Sequence, residues 1–112
     1  YEAALQADQQ LLSALLGRAM LARQLGSPAD AVLWASRAVS GAPQSVAAWQ
    51  LLGEMEAMNQ RPAKALFAFQ QALRLRPDSA DLQLNTAIVL MRLNQREQAA
   101  GHLGQSLALD PD

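Results

Sequence analysis

VAAWQLLGEMEAMNQRPAKALFAFQQALRLRPDS, residues 46–79, holds two apolar stretches divided by Asn59-Gln60-Arg61-Pro62 and closed at Pro77. Within the second stretch Leu66, Phe69 and Leu73 recur at three and four, the spacing of one helix face and not of a strand. Pro77 has counterparts: Pro43, Pro77 and Pro111 stand 34 residues apart. The same stride aligns Ala31, Ala65 and Ala99, then Ala38, Ala72 and Ser106, and more loosely Leu25, Asn59 and Leu93. A constant stride of this length is the mark of a repeat array, in which no unit can bury its apolar face alone.

Each unit carries turn residues twice, at the proline and midway, at Leu25-Gly26-Ser27-Pro28, Asn59-Gln60-Arg61-Pro62 and Leu93-Asn94-Gln95, so each unit is two helices. Gly26 and Asn94 suit the left-handed residue that closes a helix, and Pro28 and Pro62 suit a first helical turn. Ser27 with Asp30 forms the pattern of a capping box. In the last repeat Leu82, Thr86, Val89 and Leu93 continue the helical spacing. The opening stretch ALQADQ falls in the phase of AVSGAP, ALRLRP and SLALDP, with Gln9 where proline would stand. Residues 1–11 therefore read as the tail of a preceding repeat, ahead of repeats 12–45, 46–79 and 80–112. Because Gln9 breaks nothing, one continuous helix from Glu2 to Gln24 is the alternative.

The middle unit, with AWQLLGE followed by Ala65, Phe69, Ala72 and Pro77, resembles the tetratricopeptide pattern W-x2-L-G…A-x3-F…P. The resemblance covers essentially the whole chain and implies an all-α fold, a right-handed superhelix of three helix-turn-helix repeats plus the end of another. The outer repeats depart from it: Leu15 and Gln83 replace Trp49, Arg18 and Thr86 replace Leu52, and Glu56 stands where the family usually has an aromatic. Gly53, Ala19 and Ala87 keep the first helix of each pair thin, so that the second approaches through Ala31, Ala65 and Ala99. Trp49, Leu52, Phe69 and Leu73 are expected to make the densest part of the core, with truncation of Trp49 to alanine costing about 3–5 kcal/mol.

Composition narrows the function. The chain has 112 residues, a net charge of −1 and no cysteine. No basic surplus exists to release counterions from a phosphate backbone, so no nucleic acid partner is expected. The missing cysteines exclude a disulfide framework, thiol catalysis and cysteine-ligated metal, and leave cytoplasm and periplasm equally open. No apolar run approaches the roughly 18 residues of a membrane span, so no membrane insertion is expected. Lys64 is the single lysine beside eight arginines, a composition that points to a GC-rich bacterial genome.

Catalytic constellations are missing from this pattern, and neither enzymatic activity nor a cofactor is expected. His102, the one histidine, has no partner at ligand spacing and reads as a solvent-facing helical residue. Glu54 and Glu56 lie two apart on a helix and cannot face one site, so they read as a groove charge and a packing exception. Gly101 and Gly104 sit inside a helix without a preceding strand or following lysine, which argues close helix packing over a phosphate loop. Arg74 and Arg76 complement the dipole of the helix that they close.

What remains is a surface. If Trp49, Leu52, Gly53 and Glu56 face the partner helix, the opposite stripe is Ala47, Gln50, Leu51, Glu54, Ala57 and Met58. One period earlier the stripe reads Ser13, Leu16, Gly17, Met20, Arg23 and Gln24; one period later it reads Asp81, Leu84, Asn85, Ile88, Met91 and Arg92. The tetratricopeptide resemblance implies that this stripe lines a concave groove that binds a protein partner. Three of the four methionines, Met20, Met58 and Met91, fall on it and suit an amphipathic helix or apolar peptide. The competing reading is that Leu51 and Leu84 pack first helices against one another. The chaperone-binding subtype, which grips a terminal carboxylate, is disfavoured because Leu16, Met20, Leu51 and Asp81 occupy the places of the gripping groups. The expected role is a scaffold in a bacterial multi-protein assembly. The alternatives are a structural spacer or self-association module, in which open repeat ends join copies of the chain, and control of an enzyme domain in a larger parent chain.

Overall fold

The computed structural model describes residues 2–109 of the backbone and the side chains of residues 11–109; Tyr1 and Pro111, the last proline of the 34-residue ruler, lie outside these. Six helices follow one another: α1 (Glu2–Gln24), α2 (Pro28–Gly41), α3 (Val46–Met58), α4 (Pro62–Leu75), α5 (Ala80–Arg92) and α6 (Arg96–Leu109). Among the described residues there is no strand. α1 runs unbroken past Leu11, as the continuous-helix alternative has it.

The turns repeat as faithfully as the helices. Gly26, Gln60 and Asn94, one per repeat, all adopt positive φ, at 78°, 62° and 62°. In each case the next residue's N–H donates back five residues at 2.9 Å: Ser27 to Ala22, Arg61 to Glu56, and Gln95 to Leu90. These bonds satisfy carbonyls that a helix C-terminus leaves unpaired, and the left-handed residue makes them reachable. The sequence marked Gly26 and Asn94 for this role; Gln60 fills it without any compositional sign. Pro28 and Pro62 stand in the first turn as expected. The expected capping box does not form, because Ser27 makes no side-chain cap bond. Caps are made instead by Ser45, whose hydroxyl accepts from Ala48 N–H, and Ser79, which accepts from Leu82 N–H, both at 3.2 Å.

Each helix packs on its chain neighbours: α1 on α2, α3 on α4, α5 on α6, and across repeats α2 on α3 and α4 on α5. The result is an elongated stack, 45 × 31 × 23 Å, with a radius of gyration of 14.6 Å. A compact chain of this length would have about 13 Å, so the core is a ladder of interfaces and not a single closed centre. Ala19, Ala31, Ala65, Ala87 and Ala99 are all buried, the small columns that let paired helices approach. Gly53 shows how close: a Cβ built on it would lie 2.7 Å from Cε1 of Phe69, itself 2% exposed.

Of the four residues expected at the densest part of the core, Phe69 is there, 2% exposed, and the other three are not. Met55, Leu82, Leu90, Val89 and Thr86 are the largest fully buried side chains, whereas Trp49, Leu52 and Leu73 are half-buried at the edges of two clusters. Partial exposure sets the Trp49 truncation cost near the lower end of the expected range, at about 3 kcal/mol. Trp49 also has a polar task, since its indole N–H donates to Pro43 O at 2.7 Å. One period on, Gln83 Nε2 donates to Pro77 O at 3.3 Å. Tryptophan and glutamine are thus exchanged at this column because both supply a donor to the same carbonyl. Thr86, in the column of Leu52, is tolerated in the core because its hydroxyl donates to Leu82 O at 2.7 Å.

Two further expectations are corrected. Gly101 and Gly104 are exposed with open space around them, so no neighbouring helix requires them. His102 is half-buried, its Nδ1 paired with Oε1 of Gln83. Because the same amide donates its Nε2 to Pro77, Oε1 is the acceptor and the imidazole carries its proton on Nδ1.

Candidate binding groove

First helices of successive repeats lie side by side, α1 touching α3, and the stripe drawn from spacing converges there. Arg23 of α1, Glu54, Ala57 and Met58 of α3, and Asn85, Ile88 and Arg92 of α5 line one open concavity of about 270 Å³, floored by Phe69 and Val89. Every one of the seven lining residues from that stripe was placed on it by counting threes and fours. Ser13, Met20, Ala47, Asp81 and Met91 are exposed, and Gln50 is half-buried, on the same helices but outside this concavity.

Two members of the stripe point inward. Leu51 is only 9% exposed and packs with Ala19, Ala22, Ala31, Ala35 and Met55 at the junction of α1, α2 and α3. Leu16 is half-buried against the same cluster. They act as mortar between first helices, whereas Leu84, one period after Gln50, is exposed. The stripe is wider than the gap between helices, so its central rows are covered while its outer rows stay in solvent.

Charge in the concavity is mixed. Glu54 is half-buried and, among the described residues, pairs with neither Arg23 nor Arg92. Arg92 donates from Nη1 to Ala57 O at 3.2 Å, tying α5 to the C-terminal turn of α3 and complementing its dipole. Among the described residues, the remaining N–H groups of Arg92 and all those of Arg23 meet no side-chain acceptor, which leaves them open to one from a ligand. Met58 and Ile88 add exposed apolar surface beside these charges, and Met20 and Met91 are exposed on the same helices outside the concavity.

Features beyond the predicted stripe also emerged. The guanidinium carbons of Arg18 and Arg37 each lie 4.9 Å from the ring centroid of Trp34, a cation–π arrangement joining α1 to α2. Glu56 is 6% exposed and lines a second cleft, between α2 and α4. Neither is visible in one-dimensional spacing, because each depends on a helix contributed by another part of the repeat. Among the described residues no group of three or more His, Asp or Glu side chains gathers as metal ligands, and no helix is long and apolar enough to cross a membrane.

Family models described as tetratricopeptide repeat match residues 57–112 and 1–46. The chain belongs to the tetratricopeptide repeat family. No curated protein sequence matches it. Among solved structures, the crystal structure of MamA superposes with a TM-score of 0.86 at 23% identity, over 99% of this chain and 65% of that one. A mutant of the Thermobaculum terrenum O-GlcNAc transferase does so at 0.84 and 28% identity, over 94% of this chain and 20% of the enzyme. The second tetratricopeptide domain of Spaghetti (RPAP3), bound to the HSP90 peptide SRMEEVD, gives 0.87 at 17% identity, with 96% and 98% covered. This chain thus spans just under two thirds of MamA and a fifth of the transferase. The likenesses to MamA and Spaghetti speak for the all-α tetratricopeptide solenoid.

Proposed function

We propose that this tetratricopeptide segment is a non-catalytic scaffold that holds an amphipathic helix or apolar peptide of a partner protein along α1, α3 and α5, within a bacterial multi-protein assembly. The observation that carries the reading is the concavity lined by Arg23, Glu54, Met58, Asn85, Ile88 and Arg92, residues that three separate helices bring to one place. The exposed Met58 and Ile88 offer an adaptable aliphatic contact, and the flanking Arg23 and Arg92 orient an acidic residue of the ligand. The Spaghetti domain carries its peptide on the same fold. Here Met20 and Asp81, both exposed, stand where groups gripping a terminal carboxylate would be needed, so an internal segment suits the groove better than a chain end. The non-catalytic role is supported by Glu54 and Glu56 opening into different clefts, which separates the two adjacent carboxylates.

The test is Met58→Glu with Ile88→Glu in the full parent chain. Recovery of crosslinked partners from the native cell should fall at least about tenfold, the cost of placing carboxylates in an apolar contact, with the circular dichroism unchanged. Undiminished recovery refutes the groove reading.

A second reading, self-association, draws on Leu21, Leu25 and Leu33, each exposed, on α1, the following turn and α2. It expects sedimentation to show dimers that disappear in Leu21→Glu/Leu33→Glu; a monomer at high concentration removes it.

A further inference from the structure

A cleft of about 470 Å³ opens on the side of α3 away from the groove, walled by Ser36, Val39 and Ser40 of α2 and by Ala63, Lys64 and Phe67 of α4, with Trp49, Leu52 and Glu56 between them. Glu56 occupies the column in which the family carries an aromatic, and a carboxylate fills less space than a phenol ring. The acid is 6% exposed, and its Oε1 has no hydrogen-bond partner. Its nearest cation, Nη1 of the half-exposed Arg61, is 4.0 Å away, beyond hydrogen-bond reach. Arg61 thus pairs with the carboxylate only as a distant ion, without a hydrogen bond, and a buried carboxylate oxygen so incompletely met can still attract a closer cation.

The rest of the cleft suits a cation as well. Trp49 and Phe67 meet edge to face, 5.9 Å apart at 73°, and present aromatic surface. The indole N–H is already spent on Pro43 O, so Trp49 offers a π face and no donor. Phe67 is 55% exposed although large and apolar, standing at the mouth of the cleft. Ser36 and Ser40 supply hydroxyl oxygens, and Val39 and Leu52 an apolar wall for a methylene stem. Aromatic faces, acceptors and one orphan carboxylate oxygen are the elements of an ammonium site. A single orphan oxygen matches the point charge of an alkylammonium better than the planar fork of a guanidinium. Lys64 stands on the same cleft, yet among the described residues it forms no ion pair with Glu56.

We infer that the cleft between α2 and α4 binds an alkylammonium group, the side chain of a lysine on a partner protein, through Glu56, Trp49 and Phe67. This site is separate from the groove and stands or falls independently of it.

The experiment follows the Trp49 indole cross-peak in ¹H–¹⁵N spectra of the chain during titration with n-butylammonium chloride, using n-butanol as the uncharged match and potassium chloride for ionic strength. A saturable shift with a midpoint on the order of 1–10 mM is expected for so small a ligand, and none with butanol. Glu56→Gln, which keeps size and removes charge, weakens binding at least about tenfold. Glu56→Tyr fills the cleft and abolishes the response, while Lys64→Gln preserves or strengthens it by removing a like charge. The lysine tripeptide Ac-Gly-Lys-Gly-NH₂ binds more tightly than butylammonium. No saturable shift, or equal binding by Glu56→Gln, overturns the site. Binding seen only after Lys64→Gln also overturns it, since the chain's own lysine is then the occupant. A tripeptide weaker than butylammonium overturns the assignment to a protein partner.

Discussion

Replacing Gly53 by alanine puts a methyl carbon 2.7 Å from Cε1 of Phe69 and 2.8 Å from both Cδ1 and Cζ. Carbon atoms prefer roughly 3.5–4.0 Å, so the ring must retreat by about 1 Å. Phe69 is 2% exposed and packed against Leu82 and Val89, leaving it little room. Overpacking of this kind costs about 1–3 kcal/mol, and the short distances favour the upper half of that range. Against this, alanine in a helix interior gains about 1 kcal/mol over glycine. The net expectation is a loss of about 1–2 kcal/mol, read as a lower urea midpoint by circular dichroism. Gly17→Ala, in the open on α1, is the control and should gain about 0.5–1 kcal/mol. The third repeat pairs Ala87 with Leu103 at the same two columns, so Gly53→Ala combined with Phe69→Leu should recover about 1–2 kcal/mol of coupling in a double-mutant cycle. If Gly53→Ala stabilises as much as Gly17→Ala, or the two substitutions simply add, the claim that this contact sets the helix spacing is wrong.

Other substitutions probe features that arise only in the tertiary structure. Ser45→Ala and Ser79→Ala should each cost about 1 kcal/mol by losing a cap bond, while Ser27→Ala, at a position without one, should cost close to nothing; urea midpoints of the three variants decide it. Gln60→Gly, relieving a side chain at φ 62°, should stabilise by up to about 1 kcal/mol in the same assay, and a loss would show that the turn tolerates glutamine without strain. Glu56→Leu, which removes a buried carboxylate lacking a hydrogen bond at Oε1, should raise stability by about 1–3 kcal/mol in calorimetry; a marked loss would mean that Arg61 already satisfies the charge.

The all-α solenoid was legible because a stride of 34 residues can be counted along one dimension. Three prolines, a column of alanines at Ala31, Ala65 and Ala99, and a second column at Ala19, Gly53 and Ala87 announce helix pairs of constant length and close approach. The groove stripe was legible for the same reason: threes and fours along one helix fix which residues share a face, whatever that face meets. How deeply each residue of the stripe lies was not, since Leu51 and Leu84, in adjacent rows of the stripe, carry the same side chain and spacing does not say which row a neighbouring helix covers. Leu51 is covered by residues of α1 and α2, while Leu84 is left in solvent.

Chain order by itself therefore determined the period, the helical faces and the small columns, all of which are properties of one repeat and its copies. Tertiary structure alone decided that serines 45 and 79 cap while serine 27 does not, that Gln60 takes a left-handed turn, and that Glu56 is buried without a hydrogen-bond donor to its Oε1. Each of these depends on the distance and angle at which one stretch of chain meets another. Such distances arise when helices from different repeats stack, and no count of residue spacings contains them.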